Sequence, residues 1–162
     1  MNELPAWVKH GTVWLLLALG LFLGIEAWQA RERAMRFSAE GGSIDIRRDR
    51  DGHYRWPGQI NGRDVEFLVD TGASGTAIPA ALARELGLAT VGRVQSNTAG
   101  GVTTGQVVVA DLVLQGGVRA DRLRLVALPD LASPLLGMDV LGRLHWQQAD
   151  GRLRIKARSP QP

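Results

Sequence analysis

The chain of 162 residues contains no cysteine, which excludes disulfides, thiol nucleophiles and cysteine-based metal sites and leaves the redox compartment open. Histidine is scarce. His10, His53 and His145 lie far apart and show no metal-ligand spacing. Lysine is almost absent, with only Lys9 and Lys156, so the net charge of +3 and the pI near 10.2 rest on arginines scattered over strand-like segments. With no basic helix and little aromatic interleaving, that distribution does not describe a nucleic-acid surface. A basic surface near anionic lipid is the simpler account. There is no Walker-type phosphate loop. No nucleophile elbow surrounds Ser74, and the histidine order does not suit a serine hydrolase. What is present is a globular composition, 45% hydrophobic and 22% charged, of a length that suits one domain plus a tail.

The one long apolar run lies at the N-terminus. From Gly11 to Ile25 the sequence carries no charge, and Trp7, Trp14 and Trp28 sit near its ends, as in an interfacial belt. A spanning helix needs about 20 apolar residues. Counting from Ala6 to Trp28 reaches that only by admitting Lys9, His10 and Glu26 near the edges. The competing readings are a cleaved signal peptide and a buried core helix. Signal cleavage wants an A-x-A-like pattern of small residues, and in Ala27-Trp28-Gln29-Ala30 the tryptophan stands where a small residue is needed. An uncleaved N-terminal transmembrane helix over residues 1–28 is therefore the expectation. Residues 29–42 then form a juxtamembrane linker, helix-compatible from Ala30 to Ala39 and broken at Gly41-Gly42-Ser43.

From Ser43 the hydrophobic period changes to two. Ile44 and Ile46 alternate with Ser43, Asp45 and Arg47, and a second strand over His53–Ile60 is interrupted at Pro57-Gly58. Asn61-Gly62 predicts a type I′ hairpin into a third strand, Arg63–Val69. A short helix is expected from Pro79 to Gly87, with Leu82 and Leu86 on its apolar face. Strand-like runs at Val91–Ser96 and Gln106–Leu114 flank the small residues Thr98–Gly105. Arg119–Leu128 alternates again, Asp139 is placed to cap a short helix through Leu144, and a last hairpin runs to Lys156. Many short strands, glycine turns and one or two short helices predict an all-β domain over residues 43–158, a small closed β-barrel or sandwich, with a loose tail at 159–162.

The segment Phe67-Leu68-Val69-Asp70-Thr71-Gly72-Ala73-Ser74 carries the chemistry. An apolar strand that ends on a carboxylate and breaks at a glycine delivers that carboxylate to a fixed place. Later, Leu135-Leu136-Gly137 precedes a short helix. In this pair of motifs the chain resembles the retropepsin-like aspartic proteases, and over about Ser43–Ala157 it is similar to bacterial membrane-anchored members of that clan.

The resemblance implies a retropepsin-like closed β-barrel that acts as an aspartic endopeptidase without metal or other cofactor. Only one Asp-Thr-Gly is present, and Asp139 is not a second copy, since Val140 and Leu141 follow it. The resemblance thus implies a homodimer in which Asp70 of each chain meets at a two-fold axis and activates water. It gives Thr71 a hydrogen bond across the axis, Gly72 the tight turn, and Ala73 and Ser74 places beside a peptide or protein substrate. Ala99, Gly100 and Gly101 fall in a candidate flap that closes over bound peptide. Leu136 and Gly137 support the loop from below. The resemblance also implies a single-pass inner-membrane protein with the domain facing the periplasm. Read literally, Arg31, Arg33 and Arg36 after the apolar run would keep it in the cytoplasm instead. The alternative function is a non-catalytic module of the same fold that dimerises or binds peptide strands at the membrane.

Overall fold

The computed structural model describes residues 14–25, 36–39, 43–98 and 101–156. They fall into two units, Met1–Ala34 and Met35–Pro162. In the first unit, residues 14–25 form a helix, α1, in which every residue is exposed. Among the described residues no helix is long and apolar enough to cross a membrane. The anchor expected over residues 1–28 includes residues 1–13 and 26–28, which lie outside the described ones.

The second unit is built from eleven strands and two short helices. In chain order these are β1 (Arg36–Ala39), β2 (Ser43–Arg47), β3 (Arg55–Ile60), β4 (Arg63–Val69), β5 (Ala77–Pro79) and α2 (Ala80–Glu85). Then come β6 (Thr90–Thr98), β7 (Gly101–Leu114), β8 (Val118–Leu128), β9 (Leu135–Leu136), α3 (Met138–Leu141), β10 (His145–Ala149) and β11 (Arg152–Lys156). Strands β8, β5, β9, β4, β3 and β7 follow one another in a sheet, and pairing of β7 with β8 closes them into a six-stranded barrel. Closure removes most open edges, but β5 covers only Val126–Leu128 of β8, so the start of β8 keeps a free edge. β1 and β6 extend the sheet on β8 and β7, and β10, β11 and β2 form a separate three-stranded sheet. The fold is thus the all-β closed barrel with short helices that the sequence predicts.

The β3–β4 hairpin shows why these residues fold this way. Asn61 and Gly62 have φ of 48° and 82°, both positive, as a type I′ turn requires. The turn sets a register in which Trp56 lies opposite Phe67, and both are fully buried. The Trp56 indole N–H, which burial would otherwise strand, donates to the Gln115 carbonyl at 2.9 Å. The interruption expected at Pro57-Gly58 does not occur. β3 runs through it, because the Pro57 carbonyl accepts the Gln115 amide at 2.9 Å and Gly58 lets β7 approach closely. A Cβ on Gly58 would lie 2.6 Å from the Val113 carbonyl oxygen.

Two local expectations are corrected. Arg36–Ala39, in the stretch read as helix-compatible linker, is a strand that pairs antiparallel with Val118–Asp121 of β8. The outer edge of β8 offers unpaired backbone groups, and satisfying them outweighs a weak helical preference. Asp139 does not cap α3. Gly137 holds the N-cap position, the helix is only Met138–Leu141, and Asp139 in its first turn is drawn into tertiary hydrogen bonds.

Candidate active site

β4 carries the apolar run Phe67-Leu68-Val69 into the barrel and ends at Asp70. It does so beside β9, with Leu68 opposite Leu135 and Val69 opposite Leu136 in parallel register. The two sequence motifs are therefore neighbours in space. The Asp70 amide donates to the Leu136 carbonyl at 3.0 Å, so the last backbone bond of the strand fixes the residue that bears the carboxylate.

Beyond Asp70 the chain turns back on itself. The Gly72 amide donates to Asp70 Oδ1 at 2.8 Å, and the Ala73 amide donates to the Asp70 carbonyl at 3.3 Å. One carboxylate oxygen is thus held by the loop's own backbone. Asp70 is half-buried, while Thr71, Gly72 and Ser74 are exposed and Ala73 is half-buried. Among the described residues no hydrogen bond joins Ser74 to Asp70, and the oriented donor is the Gly72 amide.

The loop is clamped from below. Met138 donates its amide to the Ala73 carbonyl at 2.9 Å. Gly137 packs against the backbone of Gly75, where an added Cβ would lie 2.6 Å from the Gly75 carbonyl oxygen and 2.9 Å from the Thr76 nitrogen. Only glycine permits that approach. Leu136 is fully buried beneath it.

A second element of the clamp escaped the sequence reading. Among the described residues Thr76 is the one buried polar residue, with no exposed surface. Its hydroxyl donates to Asp139 Oδ1 at 2.7 Å and accepts from the Gly137 amide at 3.2 Å, while its own amide donates to Asp139 Oδ2 at 3.0 Å. The same Oδ1 of Asp139 also accepts the Val140 amide, at 2.9 Å. A threonine beside the apolar pair Ala77-Ile78, and an acid two residues after the Leu-Leu-Gly motif, were the available signals.

A cavity of about 190 Å³ opens beside Thr71, lined also by Tyr54, Val69, Trp146 and Gln148. A larger one, of about 580 Å³, is lined by the turn half of the β3–β4 hairpin and by Val113–Gln115, and contains no residue of the Asp70 loop. The smaller cavity is the one that adjoins the loop bearing the oriented Asp70 carboxylate. The expected flap is the end of the β6–β7 hairpin, whose pairing runs to Thr98 opposite Gly101. Ala99 and Gly100 lie outside the described residues. Gly101 is exposed, with φ of 112°. Among the described residues no group of three or more His, Asp or Glu is placed to hold a metal ion.

Residues 56–143 match the family described as gag-polyprotein putative aspartyl protease. An uncharacterized protein of Rickettsia prowazekii (strain Madrid E) is 27% identical over 164 residues, which takes in 94% of this chain and 69% of that protein. The chain is similar to the crystal structure of a retropepsin-like aspartic protease from Rickettsia conorii, with 28% identity and a TM-score of 0.60 over 75% of this chain and 98% of that one. A fainter likeness, TM-score 0.42 at 19% identity over 54% of this chain and 91% of the other, is to the solution structure of Simian Foamy Virus (mac) protease.

Proposed function

We propose that this chain, which belongs to the gag-polyprotein putative aspartyl protease family and has the retropepsin-like fold, is an aspartic endopeptidase that works as a homodimer. The observation that carries the proposal is the half-buried carboxylate of Asp70, held at one oxygen by the Gly72 amide and without a partner among the described residues at the other, on a loop where Thr71 and Gly72 are exposed. A lone carboxylate so placed lacks the acid that peptide hydrolysis also needs. A second copy, related by a two-fold axis beside Thr71, would supply it. β10 favours such an axis. It is an edge strand, and its Trp146, 37% exposed, lines the cavity that adjoins Thr71.

In the dimer the two Asp70 carboxyl groups share one proton, because adjacent like charges resist ionising together. The ionised partner takes a proton from water as its oxygen attacks the peptide carbonyl. The protonated partner gives its proton to the carbonyl oxygen. The tetrahedral diol then collapses, the C–N bond breaks, and the amine leaves with a proton returned by the dyad. Thr71 ties the two loops across the axis, and the β6–β7 hairpin closes over an extended peptide.

The N-terminal segment, uncharged from Gly11 to Ile25, serves as a single-pass inner-membrane anchor, with the protease domain facing the periplasm. Protection from added protease in spheroplasts, compared with intact inside-out vesicles, reads the side directly.

The test of function is cleavage of an unfolded protein by the purified chain. Asp70→Asn should abolish it and keep the dimer, since the amide is nearly isosteric and removes like-charge repulsion. Chelators should have no effect, and a peptide mimic bearing a secondary hydroxyl at the cleaved position should inhibit. Retained, chelator-sensitive cleavage by a pure Asp70→Asn preparation would refute the aspartic mechanism. A folded dimer that cleaves nothing would favour the non-catalytic module.

A further inference from the structure

The sheet formed by β2, β10 and β11 has two unlike faces. Ile46, Leu153 and Ile155 point into the core and are buried. The register puts Arg152 opposite Arg47, Arg154 opposite Asp45 and Lys156 opposite Ser43, so these residues share the outer face. All of them are exposed. Four cations and one carboxylate give this face a net charge of +3, which equals the net charge of the entire chain. The rest of the molecule therefore balances to zero, and the positive excess sits on this one face. Asp45 reaches Arg152 and Arg154 only at 3.7 Å, and Arg47 and Lys156 have no ion-pair partner among the described residues. Strands about 4.8 Å apart and alternate residues about 7 Å apart keep each cation within roughly one Debye length of the next, so they act as one patch.

The shape and the surroundings of the patch say what it fits. It is a short three-stranded sheet face, and its β10 positions are His145, Gln147 and Ala149. Trp146 lies on the opposite face, so the patch presents no tryptophan, tyrosine or phenylalanine for nucleobases to stack on, and His145 is its one ring. In the other unit of the chain, α1 is an uncharged helix in which Trp14, Leu15, Leu21 and Phe22 are all more than half exposed. Such a helix calls for an apolar medium. β1 begins at Arg36, 11 residues after Ile25, a distance the chain spans over at most about 40 Å. Three residues separate the end of β1 from β2, which opens the sheet that bears the cations.

We propose that the outer face of the β2–β10–β11 sheet docks on the anionic lipid headgroups of the membrane that holds the N-terminal segment. The proposal rests on the anchored reading above. Docking would fix one face of the protease domain against the bilayer. The inner face of the same sheet lines the cavity beside Thr71 through Trp146, Gln148 and Leu153, so the Asp70 loop lies on the side turned away from lipid. A membrane-held enzyme would then present its site to protein substrates and not to headgroups.

The absence of cysteine makes the test clean. The full chain carrying Gln147→Cys is labelled with an environment-sensitive fluorophore, and a second preparation carries the label at Ala89→Cys, an exposed position outside this sheet. Each is mixed with vesicles of phosphatidylcholine alone or with phosphatidylglycerol added. Flotation reports anchoring and the label reports docking. The Gln147 label should shift only on phosphatidylglycerol vesicles, and lose the shift at high salt and in the Arg152→Gln/Arg154→Gln variant. The Ala89 label should stay silent. With about a fivefold effect per basic residue, the double variant should weaken the docked state on the order of 20- to 30-fold. Its cleavage of a soluble peptide should be unchanged, which controls for folding. Failure to float with phosphatidylcholine refutes the anchor alone. Flotation with a Gln147 label blind to phosphatidylglycerol refutes the docking alone. An equal shift on a soluble polyanion, with phosphatidylcholine vesicles present, would overturn the assignment to lipid.

Discussion

Replacing Thr76 by valine keeps the shape of the side chain and removes its hydroxyl. In the folded domain that hydroxyl has no exposed surface, donates to Asp139 Oδ1 at 2.7 Å and accepts from the Gly137 amide at 3.2 Å. Loss of a hydrogen bond to a charged group costs about 1.5–3 kcal/mol, and leaving the buried Gly137 amide unpaired costs about 1–3 kcal/mol more. Two facts reduce the total. Asp139 is half-buried, so water can reach Oδ1, and its other oxygen keeps the Thr76 amide at 3.0 Å. We therefore expect a loss of about 2–4 kcal/mol, a large part of the roughly 5–15 kcal/mol that stabilises a domain of this size. Urea titration followed by tryptophan fluorescence reads it as a lower midpoint with an unchanged slope. Thermal melting should fall by on the order of 10 °C. Because Gly137 and Gly75 back the Asp70 loop, peptide cleavage should drop further than the folded fraction does. A valine variant within about 0.5 kcal/mol of the parent, which is the ordinary range for surface changes, would refute the clamp.

Other perturbations probe separate parts of the account. Gly137→Ala puts a Cβ 2.6 Å from the Gly75 carbonyl oxygen, so the Asp70 loop must shift, and turnover should fall by at least tenfold even in preparations that still fold. Gly101→Val forces a branched residue to φ of 112°, which should slow kcat through the flap while far-ultraviolet circular dichroism stays unchanged. The Arg55 guanidinium hydrogen-bonds Asp51 and, with the His53 amide, holds its carboxyl at about 2, below the ordinary 3.8. A lowered folded value means that this contribution is complete above pH 4 and is lost as the pH falls from about 4 through 2. Asp51→Asn should accordingly flatten the stability profile in that window, and an identical acid slope in the two proteins would contradict it.

The parts of the site that were legible in the sequence are those written in consecutive residues. Phe67-Leu68-Val69-Asp70 announces a strand ending on an acid, and Leu135-Leu136-Gly137 announces its partner. Asn61-Gly62 announces the turn that sets the register. What was not legible depends on residues far apart in the chain. β5 is only Ala77–Pro79 and exists because β8 and β9 flank it, not through any period of its own. β1 is a strand only because β8 has an edge to cover. The Thr76–Asp139 contact joins residues 63 positions apart, and local logic instead assigned Asp139 to the end of a helix. Pro57 misled for the opposite reason, since it lacks only a donor, and its carbonyl still accepts the Gln115 amide and keeps β3 in the sheet.

The central claim is that each active site takes Asp70 from two chains, and mixing measures it most directly. Wild-type and Asp70→Asn chains are combined at fixed total concentration, allowed to exchange subunits, and assayed for peptide cleavage. If only dimers with two aspartates cleave, activity follows the square of the wild-type fraction, and an equal mixture retains about one quarter of the activity. About one half in the equal mixture, with a straight line through the other ratios, would mean that each chain acts alone and would contradict the shared dyad.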